Sequence, residues 1–214
     1  MTNQEPPKTR QVTKSTIQHY DDNAAAFWEG TRDHDVSQNT AALLEAIAGE
    51  PPFRLLDFGC GPGRDLRYFQ DLGHEPVGLD GSENLAALAR KHSGADVWVQ
   101  NFAEPDLPRE HFDGIFANAS LFHVPRDRIE AVLTTLLAGL VPGGVLFASM
   151  PRGNDDEGIS GKRYGVYYRD ETWLELVEKA GFGPIRHYYR PDGVPNDQQR
   201  WLASVWRKPA STKT

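Results

Sequence analysis

The sequence predicts an α/β protein with a mostly parallel sheet that closes in an antiparallel hairpin. Three observations carry that expectation. Short apolar runs alternate with amphipathic stretches from Phe53 to Ser149, the pattern of strands covered by helices on both faces. The first run, Phe53–Phe58, leads into Gly59-Cys60-Gly61-Pro62-Gly63, where glycine permits a backbone turn that passes close beneath a ligand. Two later apolar runs, Ile185–Arg190 and Trp201–Trp206, flank a Pro/Gly-rich segment, Pro191 to Pro195, as the arms of a hairpin do.

The elements follow in order. Residues 1–12 are polar and proline-containing and read as a disordered tail; a single domain is expected over 13–208. Thr13 to Glu29 carries Ile17, Tyr20, Ala24, Phe27 and Trp28 at helical spacing. After a polar segment, Gly30 to Asp35, Ser37 is placed to cap a second helix that ends by Gly49 and Pro51, completing a helical lid over 13–50. Strands are expected at Phe53–Phe58, Pro76–Leu79, Asp96–Gln100, Phe112–Ala117 and Gly144–Ser149, and helices at Arg64–Leu72, Glu83–His92, Arg126–Ala138 and Asp170–Ala180. With the hairpin this makes a seven-stranded sheet. The stretch 151–169 interrupts the alternation and reads as a long polar insert without structure of its own, a feature that usually serves function.

Composition narrows the chemistry. A net charge of −7 over 214 residues disfavours a nucleic-acid partner. No apolar run has the length of a membrane span and the polar start lacks a signal-peptide profile, so a cytoplasmic setting without membrane is expected. The single cysteine, Cys60, excludes an internal disulfide, and no metal-ligand spacing occurs.

The glycine spacing then selects the ligand. A dinucleotide fingerprint wants a third glycine where Arg64 stands, and a phosphate loop wants a Gly-Lys-Ser/Thr ending that is missing, so a nicotinamide oxidoreductase is disfavoured. Leu56-Asp57-Phe58-Gly59-Cys60-Gly61-Pro62-Gly63 instead resembles motif I of the class I S-adenosylmethionine (SAM)-dependent methyltransferases, which implies their Rossmann-like fold and SAM as the cofactor, without metal. Ligands in such sheets bind beyond the carboxyl ends of the strands. The cofactor residues expected there are Asp57, Gly59, Gly61 and Gly63 after the first strand, and Asp80, Gly81 and Ser82 after the second, with Asp80 on the ribose hydroxyls. Asn101 and Phe102 after the third face adenine; Asn118 after the fourth binds the amino group of the methionine part; Tyr20 flanks the methionine tail. His123 is the titratable candidate for a catalytic base. Phe27, Arg32, His34, Asp35, Arg152, Asn154, Tyr164 and Tyr167 are expected at the substrate, offering arginines for a carboxylate, acids for an ammonium and aromatics for a flat ring.

A narrower resemblance spans about Tyr20 to Arg207. Its runs are Phe27-Trp28-Glu29-Gly30-Thr31-Arg32-Asp33-His34-Asp35-Val36-Ser37-Gln38-Asn39, then Leu56 to Asp65, Phe112 to Pro125, Pro151-Arg152-Gly153-Asn154, Arg163-Tyr164-Gly165 and Trp201 to Trp206. These resemble the methyltransferase module of ovothiol biosynthesis. The resemblance implies methylation of the imidazole π-nitrogen of 5-thiohistidine, with a separate sulfoxide synthase and a C–S lyase supplying that substrate. Two other readings stand beside it: a methyltransferase for a different small molecule, and a non-catalytic SAM-binding regulator.

Overall fold

The computed structural model describes residues 7–210. Its sheet has seven strands: β1 (Arg54–Phe58), β2 (Glu75–Asp80), β3 (Val97–Val99), β4 (Phe112–Asn118), β5 (Leu140–Pro151), β8 (Gly183–Arg190) and β9 (Trp201–Arg207). Their order is β3-β2-β1-β4-β5-β9-β8. The first five run parallel, and β9 joins β5 and β8 antiparallel. The order of the strands therefore reverses between β1 and β4, and that is where a crevice opens beyond the strand ends.

Alternation along the strands divides the core. Leu56, Phe58, Ile115 and Ala117 face one apolar cluster, completed by α6 (Ile129–Gly139) and α7 (Asp170–Lys179). Leu55, Phe116, Phe147 and Val205 face the other, covered by α3 (Ser37–Leu44). Helices α4 (Arg64–Asp71) and α5 (Glu83–Ser93) follow β1 and β2 and pack together, with Leu66, Ala86 and Ala89 in a third cluster.

The expected fold class holds, and four local expectations are corrected. The tail expected over 1–12 is helical from Pro7 onward, because α1 (Pro7–Asp22) buries Thr9, Thr13 and Thr16 and bonds Thr9 to Asp127; residues 1–6 of that expectation lie outside the described residues. The single helix expected from Thr13 to Glu29 breaks at Asn23 into α1 and α2 (Ala24–Thr31), the Asn23 side chain bonding back to the His19 carbonyl. The insert is no loop: β6 (Asp156–Ser160) and β7 (Arg163–Tyr167) form a separate antiparallel hairpin around Gly161. Val166 and Tyr168 anchor it in the core, whereas β6 is exposed throughout, so its sequence lacks the alternation that marks a half-buried strand. Ser37 also does not cap α3. Its amide is taken by the Asp35 carboxylate at 2.9 Å.

Candidate active site

Two adjoining cavities lie at the strand ends beside the glycine turn. The inner one is lined by Gly59, Gly61, Asp80, Gly81, Ser82, Leu85, Asn101, Phe102, Ala119, Ser120 and His123, and is roofed by Thr13, Thr16, Ile17 and Tyr20 of α1 with Phe27 of α2. The outer one, about 560 Å³, shares Phe27, Gly59, Gly61 and Ala119 with it. It adds His34, Asp35, Val36, Asn39, Arg64, Asn118, Ser149, Arg190 and Trp201.

The inner cavity is built from backbone geometry. Gly59 sits at φ +86°, and a Cβ there would lie 2.4 Å from the Cβ of Ser120. A Cβ on Gly81 would lie 2.9 Å from Ile17 on the roof. Asp80 is buried, its Oδ2 accepting from the Gly61 amide and its Oδ1 from the Ser82 amide, both at 2.9 Å. Burial pushes its pKa up to about 6, against the pull of those amides. Ser82 caps α5 by accepting from the Leu85 amide, so Asp80 is free of that duty. A carboxylate retains lone pairs beyond those two bonds, and these can accept ribose hydroxyls, while Leu85, Ile17 and Phe102 supply apolar walls for a base. The residues present thus fit SAM.

Not every expected cofactor residue reaches the cavity. Gly63 stands behind it: a Cβ there would meet the Ala89 Cα at 2.8 Å, so it serves α4–α5 packing. Asp57 lies buried below the turn with one carboxylate oxygen lacking a partner, its pKa driven well up by burial and then by Asp65. Asn101 lines the cavity, with its Oδ1 accepting from the Ala103 amide at 2.9 Å.

His123 joins three elements. The Tyr164 carbonyl on β7 can only accept, so Nδ1 carries the proton and donates to it at 2.6 Å. Nε2 is then the acceptor for the Tyr20 hydroxyl of α1 at 2.8 Å. Burial lowers the His123 pKa to about 4 and raises that of Tyr20. The imidazole is thus neutral at pH 7, and Tyr20 stands between it and any substrate proton.

Of the residues expected at the substrate, Phe27, His34 and Asp35 line the outer cavity, and the others are spent elsewhere. Arg152 grips the Asp170 carboxylate with Nε and Nη2 and the Asn196 and Gln199 carbonyls with Nη1, and lies over the Tyr189 ring. Arg32 pairs with Glu29 and Asp33 on the surface. The Tyr164 hydroxyl donates to Glu157, Tyr167 packs near Phe122, and Asn154 is exposed on the approach to the hairpin. The cationic groups at the cavity are instead Arg64 and Arg190. Arg64 is held bidentately by Asp65 at 2.8 Å. Arg190 donates to Asn39 and to the Asp35 carbonyl, which leaves further N–H groups unused. Nothing local in the sequence marks Arg190. It arrives because β8 is the terminal strand and its carboxyl end abuts the loop before α3.

A glycine-turn pocket with a buried carboxylate after β2, at the switch point of a sheet ending in an antiparallel β8–β9 pair, defines the class I SAM-dependent methyltransferase architecture. The chain matches the family described as "Methyltransferase domain" over residues 27–187 and belongs to it. It is 34% identical over 129 residues to malonyl-[acyl-carrier protein] O-methyltransferase of Enterobacter lignolyticus, covering 58% of this chain and 51% of that protein. It is 30% identical over 188 residues to trans-aconitate 2-methyltransferase of Delftia acidovorans, covering 78% and 65%. The matches thus span about half to two-thirds of those proteins' length. Among solved structures it is similar to the 1,6-didemethyltoxoflavin-N1-methyltransferase of Burkholderia thailandensis with bound 1,6-didemethyltoxoflavin and S-adenosylhomocysteine, with a TM-score of 0.73, 23% identity and coverage of 98% and 92%. No group of histidine, cysteine or carboxylate side chains among the described residues is arranged to hold a metal ion, and no described helix is long and apolar enough to cross a membrane.

Proposed function

We propose that this protein transfers a methyl group from SAM to the π-nitrogen of 5-thiohistidine, producing ovothiol A and S-adenosylhomocysteine. The observation that carries the reading is where the lid run of the ovothiol resemblance falls. The run Phe27 to Asn39, one of those read as resembling the ovothiol methyltransferase modules, supplies Phe27, Thr31, His34, Asp35, Val36 and Asn39 to the outer cavity. Their chemistry suits an amino-acid-like heteroaromatic. Arg190 has spare donors for a carboxylate, Asp35 is an acid for an ammonium, and Phe27 and Trp201 are flat surfaces for a ring. A sulfoxide synthase and a C–S lyase would supply the substrate as separate proteins.

SAM supplies a sulfonium-activated methyl carbon when bound. The protein's task is alignment and the exclusion of water. Gly59, Gly61 and Ala119 line both cavities, so the reacting atoms meet beside the glycine turn. The nitrogen lone pair forms the new C–N bond as the C–S bond breaks, its electron pair staying on sulfur. Any proton on that nitrogen must first leave or shift. Tyr20 with neutral His123 behind it offers a route, the hydroxyl passing a proton to Nε2.

A second reading, methylation of a carboxylate, draws on the names of the relatives and on the two arginines at the outer cavity. Incubating the protein with SAM and, separately, 5-thiohistidine, histidine or trans-aconitate, followed by mass spectrometry of the products, decides between them. A product of 5-thiohistidine carrying one methyl on the ring nitrogen is expected. Methylation of trans-aconitate alone would overturn the reading in favour of the second, and cofactor binding without turnover of any of the three would favour a non-catalytic regulator.

A further inference from the structure

A chain of hydrogen bonds fixes which end of one amide faces the outer cavity. Asn39, buried on α3, receives the Arg190 Nη1 and the Tyr188 hydroxyl on its Oδ1, each at 2.9 Å. A guanidinium only donates and stays charged at any working pH, so the atom facing it must be the oxygen. The Asn39 Nδ2 is thereby turned toward Asn118 and donates to its Oδ1 at 2.9 Å. Ser149 fits the same orientation. Its hydroxyl oxygen accepts from the Ala119 amide at 2.9 Å, and its proton goes to the Asn118 Oδ1 at 2.7 Å. Both lone pairs of the Asn118 oxygen are then occupied. What remains on this cavity-lining side chain is the Nδ2 group, for which no described residue offers an acceptor. The sequence expectation that Asn118 accepts from an ammonium of the cofactor runs against this polarity.

We propose that Asn118 is a specificity-determining donor, oriented by the Arg190–Asn39 relay, that takes the anionic sulfur of the substrate ring and so leaves the ring nitrogen to meet the methyl carbon. The assignment of the sulfur rests on the reading of the substrate given above; the orientation of the amide does not. Asn118 stands next to Ala119, which lines both cavities, so it lies at the junction where the reacting ring must sit. The thiolate is the stronger nucleophile of the two candidates. A hydrogen bond to it both withdraws electron density and fixes its distance, whereas an acceptor at this position would repel it.

Two measurements test the proposal. The first is solvent exchange of assigned side-chain amides by NMR, in the wild type and in Asn39→Asp. In the wild type the Asn39 NH2 should exchange slowly and that of Asn118 fast. In Asn39→Asp, where a carboxylate keeps the Arg190 and Tyr188 bonds but can no longer donate, the Asn118 amide should flip and its NH2 become protected. A protected Asn118 NH2 in the wild type, or one indifferent to Asn39→Asp, overturns the relay. The second is calorimetry on protein loaded with S-adenosylhomocysteine, titrated with 5-thiohistidine and with histidine, which lacks the sulfur. The wild type should prefer the thiolated ring, and Asn39→Asp and Asn118→Asp should each reduce that preference at least tenfold without changing affinity for S-adenosylhomocysteine. A preference intact in both variants, or a loss confined to S-adenosylhomocysteine, overturns the sulfur assignment. Binding of neither ring by the wild type would defeat the substrate reading and the sulfur assignment together, while amide exchange would still decide whether Asn118 is a donor.

Discussion

The two cavities differ in how the chain makes them. The inner one takes its cradle from short segments after β1 and β2, closed by the ends of β3 and β4 and the α1 roof, and the polar contacts of that cradle run through backbone amides: Gly61 and Ser82 to one carboxylate. The outer one gathers side chains from α2, α3, β5, β8 and β9, and its polar contacts run from side chain to side chain across as many as 151 positions of sequence. A pocket made of backbone tolerates few substitutions but can be read from local spacing. A pocket made of distant side chains can be retuned one residue at a time, which is what a family sharing one cofactor and many substrates requires.

The sharpest separation of the two should come from Asp80→Ala. It removes the carboxylate proposed to accept the ribose hydroxyls and strands two buried amides, so cofactor affinity by calorimetry should fall by about a hundredfold or more. Next, Arg190→Ala should raise KM for the substrate by about tenfold, roughly the value of one charge-assisted bond, and leave cofactor affinity unchanged. Arg152→Ala should do the reverse of what a substrate arginine does. KM should stay constant while thermal stability drops by about 1–3 kcal/mol, because the Asp170 carboxylate loses its bidentate partner. If Arg152→Ala raised KM and Arg190→Ala did not, the division between the cavities drawn here would fail.

Acidity should discriminate more gently. Asp80 must be ionised to accept ribose hydroxyls, and its pKa stands near 6, so cofactor affinity should be flat above neutrality and fall by up to about tenfold per pH unit below about 6. Stability reports this poorly. Asp80 binds its proton more readily folded than unfolded, so its contribution grows as pH falls from 6 toward 3.8. His123 does the opposite, being held near 4 against 6.5, so the stability it confers is full above 6.5 and lost as pH falls toward 4. The smallest effect expected is that of Tyr20→Phe. It deletes the hydroxyl bonded to Nε2 and should cost about 1–2 kcal/mol in denaturant unfolding.

The same division explains what the sequence disclosed. The strand–helix alternation, the glycine turn and Asp80 were legible because each is a pattern within a few residues. Phe27, His34 and Asp35 were expected from their place in the lid, and all three line the outer cavity. Arg152 and Arg32 misled for one reason: position after a strand or within a lid says where a residue starts, not which carboxylate captures its long side chain. Arg190 carried no local signal and Asn39 entered only as the last residue of the run from Phe27, since the bond between them comes from an edge strand folding back against α3. The hairpin β6–β7 hid because β6 is exposed and lacks the period of a half-buried strand. Helix α1 extended past its expected start because polar threonines, not apolar residues, face inward there.

That last feature bears on how the protein should be handled. The stretch that matches the family begins at Phe27, downstream of α1. Asp21 at the end of α1 takes the Ser82 hydroxyl and the Asn84 amide, and Thr16 takes the Tyr164 amide, so this helix is bolted to both α5 and the hairpin. An expression clone trimmed to that boundary would keep every residue of the glycine turn and yet leave the inner cavity open to bulk water on one side.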